Sequence, residues 1–136
     1  MTQEEKELLL KDLCARLPYG IKILHKGWNY EWDQELSTLE KITGIDEKFI
    51  YTKVIDNNGE DRHAISLFND KPYLFPLSSM TEEQKREYHE LIGGFFGASA
   101  LISIEGLTDF FNKNHIDYRG LIPMELAIDA TGLDIY

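Results

Sequence analysis

The sequence predicts an α+β fold, and three observations carry that prediction. Residues 21–68 alternate apolar and polar side chains in short runs suited to antiparallel strands, whereas residues 81–113 set apolar side chains three and four apart, as helices do. Between the two patterns lies a stretch with two prolines, KPYLFPLSSMTEEQ at 71–84. The expected molecule is a single domain over residues 1–136, with a strand-rich half at about 20–70 and a helical half at about 81–136. It comprises an N-terminal helix, an antiparallel meander of four or five strands forming either a small curled sheet or a partly open barrel, and C-terminal helices packed on it. A chain of 136 residues with 43% hydrophobic content is long enough to close one such core.

The first element is a helix. Thr2 and Glu5 have the spacing of a capping box, and Leu9, Leu10, Leu13 and Leu17 recur at helical intervals until Pro18 and Gly20 stop the run. Cys14 falls beside Leu10, Leu13 and Leu17 and is expected to be a buried structural thiol. As the one cysteine it excludes an internal disulfide and a cysteine-based zinc site, and it fits a reducing compartment. Residues 21–25 and 28–32 read as a hairpin closed through Lys26 and Gly27. Residues 36–43 fit a strand or a short helix, and continuity with their neighbours favours the strand. A second hairpin, 49–55 with 62–68, turns at Asn58-Gly59 and sets Asp56 opposite Asp61. The run DNNGED does not place its glycine where an EF-hand needs it, so no calcium site is expected there.

In the central stretch Pro72 and Pro76 lack backbone donors and fix φ, which argues against both a helix and a central strand. An extended connector is expected, pinned to the core by Tyr73, Leu74, Phe75 and Leu77. Thr81 and Gln84 then form a second capping box with Glu82 and Glu83 in the positive first turn, and Tyr88, Leu91, Ile92 and Phe95 continue the stripe until Gly93 and Gly94 weaken it. Residues 91–104 carry no charge but fall short of the roughly 20 residues a bilayer span needs, so they read as a buried segment. The GxxxG spacing of Gly93 and Gly97 gives this segment a second reading, as the seam of a homodimer. Leu107, Phe110 and Phe111 mark one more helix, ending at Asn114. Residues 124–130 suit a last strand and a short helix equally.

Charge restricts the partners. A formal net charge of −10 disfavours nucleic acid, whose binding needs a basic surface that releases counterions, and it disfavours anionic membrane surfaces too. The acidity is uneven: residues 29–61 hold nine Asp or Glu against three Lys or Arg, while residues 1–28 hold four against five. One reading is a solvated sheet edge; the other is an acidic face that meets a basic protein. No basic run followed by an apolar run opens the chain, so the cytoplasm is the expected compartment.

Two groups of residues are candidates for function. Trp28, Tyr30 and Trp32 alternate with Asn29 and Glu31, which makes them the inward side of a half-buried strand, or, if left uncovered, a protein-binding surface flanked by Glu31 and Asp33. The second group is His115, Asp117 and Arg119, a dense polar run that reads as a polar turn or, with Lys71 and Tyr73, as a site for a small anionic ligand. In that site Arg119 would clamp the anion and His115 would shuttle a proton. Histidines 25, 63, 89 and 115 show no metal-ligand spacing, and the chain has no nucleophile elbow, P-loop or dinucleotide fingerprint. No metal and no cofactor are expected.

The segments LLLKDLCARLPYGIK, KPYLFPLSSMTEEQ and NKNHIDYRGLIPMELAI resemble recurring segments of a family of small uncharacterised proteins found in gut bacterial genomes and their phages. The resemblance implies a phage or mobile-element accessory protein in the cytoplasm of a bacterial host, and it carries over no catalytic residue. Residues 27–69 and 93–102 are where this chain is most individual. The expected function is therefore a non-enzymatic acidic module that binds a host protein. The small anionic-ligand site is the alternative.

Overall fold

The computed structural model describes residues 1–55, 62–66, 70–93 and 100–136, the side chains of 66 and 100–104 excepted. Its elements are α1 (Gln3–Arg16), β1 (Lys22–Asn29), β2 (Gln34–Ile45), β3 (Phe49–Val54), β4 (Arg62–Ser66), β5 (Lys71–Pro76), α2 (Glu82–Gly93), α3 (Ala100–Lys113), β6 (Ile116–Asp117) and β7 (Ile128–Asp129). The strands form one sheet in the order β4-β3-β2-β1-β5-β6, with β7 also paired to β5. The class is α+β as expected, and the sheet stays open rather than closing into a barrel.

The first helix begins where its cap predicts. Thr2 Oγ1 accepts from the Glu5 amide at 3.1 Å while Glu5 Oε2 accepts from the Thr2 amide at 2.7 Å. Its buried stripe is Leu9, Asp12, Leu13 and Arg16. Cys14 lies about 100° around the helix from Leu13 and is exposed, which corrects the expectation of a buried thiol. Gly20, at φ +74°, ends the short helical turn after α1 in the left-handed conformation that glycine adopts at least cost.

The first hairpin is longer than expected. The β1–β2 register runs unbroken from Lys22 opposite Lys41 to Asn29 opposite Gln34, so Lys26 and Gly27 lie within the strand. The turn falls at 30–33 because Asn29 Oδ1 accepts from the amides of Glu31 and Trp32, at 2.9 and 3.2 Å, and Asp33 takes φ +50°. Residues 36–43 are strand, inside β2. The Asn58-Gly59 turn, the Asp56–Asp61 pair, Gly97 of the GxxxG spacing and residues 94–99 of the uncharged run lie outside the described residues.

The central stretch is a strand, not a connector, and it sits in the interior of the sheet. It pairs antiparallel with β1 through only two positions, Pro72 opposite Ile23 and Lys71 opposite Leu24, and parallel with β6 and β7. The prolines occupy its second and last residues, so the residues between them supply the ladder. The Phe75 amide donates to the His115 carbonyl and the Leu74 carbonyl accepts from the Ala130 amide, each at 2.8 Å. The parallel pairs make the sheet mixed, where an antiparallel meander was expected. Of residues 124–130, Ile128 and Asp129 form a short strand, and the rest is irregular chain.

Two apolar clusters hold the layers together. One joins Leu9 and Leu13 of α1 to Ile21, Ile23, Ile42, Ile50, Leu74 and Leu121, and the other gathers Phe110, Phe111 and Ile116 under Tyr88 and Leu91 of α2. Between them Arg16, wholly buried, binds Asp12 at 2.8 Å and the Ile116 carbonyl at 2.6 Å. No helix among the described residues is long and apolar enough to cross a membrane.

Candidate functional site

The aromatic residues singled out in the sequence are exposed. Trp28, Tyr30 and Trp32 keep 49%, 88% and 69% of their surface in solvent at the tip of the β1–β2 hairpin, so they are not the inward side of a strand. The cause is the register. The turn starts at Tyr30, which removes Tyr30 and Trp32 from the strand and leaves only Trp28 at its end. Glu31, Asp33 and Glu35 are exposed beside them, and the Asn29 side chain fixes the turn that displays them.

A second site is one the sequence does not announce. His25 of β1 stands opposite Thr38 of β2, and Thr52 of β3 stands opposite His63 of β4, while Glu40 lies two residues from Thr38. Because side chains alternate along a strand, this register brings all five to one face of the sheet. The Glu40 carboxylate is completely buried there. It accepts from Thr38 Oγ1, from Thr52 Oγ1 at 2.6 Å and from His63 Nδ1 at 2.7 Å. Burial alone would raise its pKa, but these three donors outweigh burial and hold it below the usual carboxylate range. His25 is oriented in the same way, with Nδ1 at 2.7 Å from the nearly buried carboxylate of Asp70, which also accepts from the Lys26 amide. The two imidazoles lie 5.4 Å apart, centre to centre, and border a pocket of about 310 Å³ with Gly27, Trp28, Leu36 and Thr38. Sequence spacing conceals the group, since its hydrogen bonds join residues 23 and 45 apart in the chain. The available signal is that Thr38, Glu40 and Thr52 share, by alternation, the face that carries Ile42 and Ile50.

The polar run at 115–119 is taken up by the fold. Asp117 is buried and accepts from the amides of Leu121 and Ile122 at 2.9 and 2.8 Å, which fastens the turn that follows. Arg119 pairs with Asp12 at 3.1 Å and lies over the Tyr118 ring. Tyr73 is buried, and its carbonyl accepts from the Tyr136 hydroxyl. Lys71 borders a pocket with Leu24, Lys26, Asp70 and Ile128, whereas Asp117 and Arg119 border a different one with Pro76, Ser78 and Pro123. Lys71 and the pair Asp117 and Arg119 therefore border different pockets, and at 115–119 Asp117 is tied into the turn as the polar-turn reading expects.

His115 has its own physical role. Its ring stacks on Tyr136 at 3.6 Å, and burial, helped by the cations of Arg16 and Lys22, lowers its pKa to about 4. The unfolded chain takes up this proton near pH 6.5 and the folded chain only near pH 4, so stability is complete above pH 6.5 and is lost as the pH falls between those values. The expected loss is about 2 kcal/mol, less than the full linkage value because the ring is partly solvated. His115→Asn keeps a residue that tolerates the φ of +57° found here and cannot titrate. Urea unfolding midpoints from pH 7 to pH 4 should fall less steeply in this variant than in the native chain; equal slopes would refute the assignment.

Comparison of the chain with family models, with curated proteins and with solved structures returns no match.

Proposed function

We propose that the chain is a non-enzymatic protein-binding module that engages a basic protein surface through the tip of the β1–β2 hairpin. The observation that carries this reading is the exposure of Trp28, Tyr30 and Trp32 together on a turn fixed by Asn29. Large aromatics with a polar edge are the usual anchors of protein interfaces, and a turn already held in shape loses little entropy on docking. Glu31, Asp33 and Glu35 at the same tip, within a chain of net charge −10, favour a cationic partner and steer it on approach. The resemblance of three segments to small proteins of gut bacteria and their phages supports an accessory role in the cytoplasm of a bacterial host, with a host protein as the partner.

The test is affinity capture from lysate of that host with the native chain and with a Trp28→Ala/Tyr30→Ala/Trp32→Ala variant, followed by titration of the captured protein. The native chain should retain a stoichiometric basic partner. The variant should bind it at least tenfold more weakly and keep the native unfolding midpoint, because the three side chains contribute little to the core. Equal capture by both chains, or unfolding of the variant, would overturn the reading.

A further inference from the structure

We propose that His25, Glu40 and His63 form a binding site for one divalent transition-metal ion. The site is distinct from the protein-binding reading of the hairpin tip and does not depend on it. Each of the three residues offers a ligand atom, and these atoms lie within 4.8 Å of one another. A tetrahedral ion at 2.0–2.1 Å holds its donors roughly 3.3 Å apart. Binding therefore requires the three side chains to draw together from separations of up to 4.8 Å. The shortest separation already present, 2.7 Å between His63 Nδ1 and Glu40 Oε1, needs to open by about 0.6 Å.

The surroundings are those of a built site. Glu40 is buried, and among the described residues its hydrogen-bond partners are two threonine hydroxyls and one imidazole, with no lysine or arginine. A cation would neutralise it far better. Asp70 fixes the His25 ring from its far side, as the carboxylates that support metal-bound histidines do. Gly27 leaves space beside His25: a Cβ there would stand 3.5 Å from Nε2. The pocket of about 310 Å³ that both imidazoles border leaves room for water or a small ligand at the open positions of the ion.

Ligand chemistry selects the class of ion. Two imidazoles and one carboxylate suit Zn(II), Fe(II), Co(II), Ni(II) or Cu(II), while Ca(II) and Mg(II) need more oxygen donors than the described residues supply. The expected arrangement has three protein ligands and an open side.

The experiment uses the full chain, free of any histidine tag and stripped with a chelator, titrated with Zn(II) by calorimetry and with Co(II) by its visible absorption. One equivalent of Zn(II) should bind with micromolar or tighter affinity, and Co(II) should give the intense bands of a four- or five-coordinate site. His25→Ala, His63→Ala and Glu40→Gln should each weaken Zn(II) binding by about 100-fold or more, and Asp70→Asn, which acts through His25, by about 10- to 100-fold. His63, with 41% of its side chain exposed, can be removed without opening the core, so His63→Ala keeps the test valid if Glu40→Gln fails to fold. His89→Ala, away from the cluster, should bind as the native chain does. Absence of saturable one-to-one binding, retention of it in His25→Ala/His63→Ala, or equal affinity for Ca(II) would overturn the proposal.

Discussion

Replacing Arg16 with methionine should destabilise the protein by roughly 3–5 kcal/mol, the usual cost of breaking a buried ion pair from one side. Arg16 is fully excluded from solvent, and its guanidinium binds Asp12 at 2.8 Å, the Ile116 carbonyl at 2.6 Å and the Phe111 carbonyl at 3.4 Å. Methionine fills the volume but donates nothing, so a buried carboxylate loses one of its two cationic partners and two carbonyls lose a donor. Arg119 remains on the other oxygen of Asp12, at 3.1 Å, which keeps the cost from rising further. Urea unfolding should show the midpoint falling with an unchanged slope. The double variant Asp12→Leu/Arg16→Met removes the buried Asp12–Arg16 pair and should recover part of the loss, because desolvation is relieved along with the attraction while Arg119 loses Asp12 and the two carbonyls stay without the Arg16 donor. A single variant within 1 kcal/mol of the native chain would show that this network does not tie α1 to α3 and β6.

What the sequence made legible follows from how local each signal is. Both capping boxes, at Thr2 and Thr81, are closed by residues three apart, and both are found as predicted. The strand expected at 49–55 is found as Phe49–Val54 and the one expected at 62–68 is found over its described part, Arg62–Ser66, both from short-range alternation, while 36–43 follows from continuity with its neighbours. Three features differ from what the sequence predicts, two through partners far along the chain and one through a side chain that sets a local turn. The proline-bearing stretch reads as a connector until β6 and β7 are known to lie along its other edge, where Phe75 and Leu74 find their bonds. Cys14 reads as buried until the polar pair Asp12 and Arg16, rather than the leucines alone, is seen to define the inner face of α1. Asn29 sets the turn at 30–33 through its side chain rather than at Lys26 and Gly27, and this displacement of the turn puts Trp28, Tyr30 and Trp32 in solvent. The His25, Glu40 and His63 group is the extreme case, since each member is unremarkable on its own strand and the cluster exists only once four strands are in register.

Phe110→Ala is expected to cost about 3–5 kcal/mol and to loosen α2 before the rest of the molecule. Phe110 is 1% exposed and packs its ring against Phe111 at 5.6 Å and Tyr88 at 6.4 Å. α2 itself has no buried residue and depends on Tyr88 and Leu91 resting on that aromatic cluster. Its polar ties to α3 are weak: the Lys113–Glu87 bridge at 2.9 Å is exposed at both ends, and surface pairs of this kind contribute at most about 1 kcal/mol. Removing the ring takes away one of the two rings under Tyr88, the other being Phe111 at 6.0 Å, and the capping box at Thr81 cannot by itself hold a helix of 12 residues in water. Amide hydrogen exchange should therefore rise first and most across α2, while α1 and the β1–β2 ladder, anchored in the other cluster by Leu9, Leu13 and Ile23, keep their protection up to the reduced global stability. Leu74→Ala, in that other cluster, should produce the reverse: a global loss with no preferential opening of α2. If both variants raise exchange uniformly, the two clusters form one cooperative unit, and α2 is held by more than its contact with Phe110.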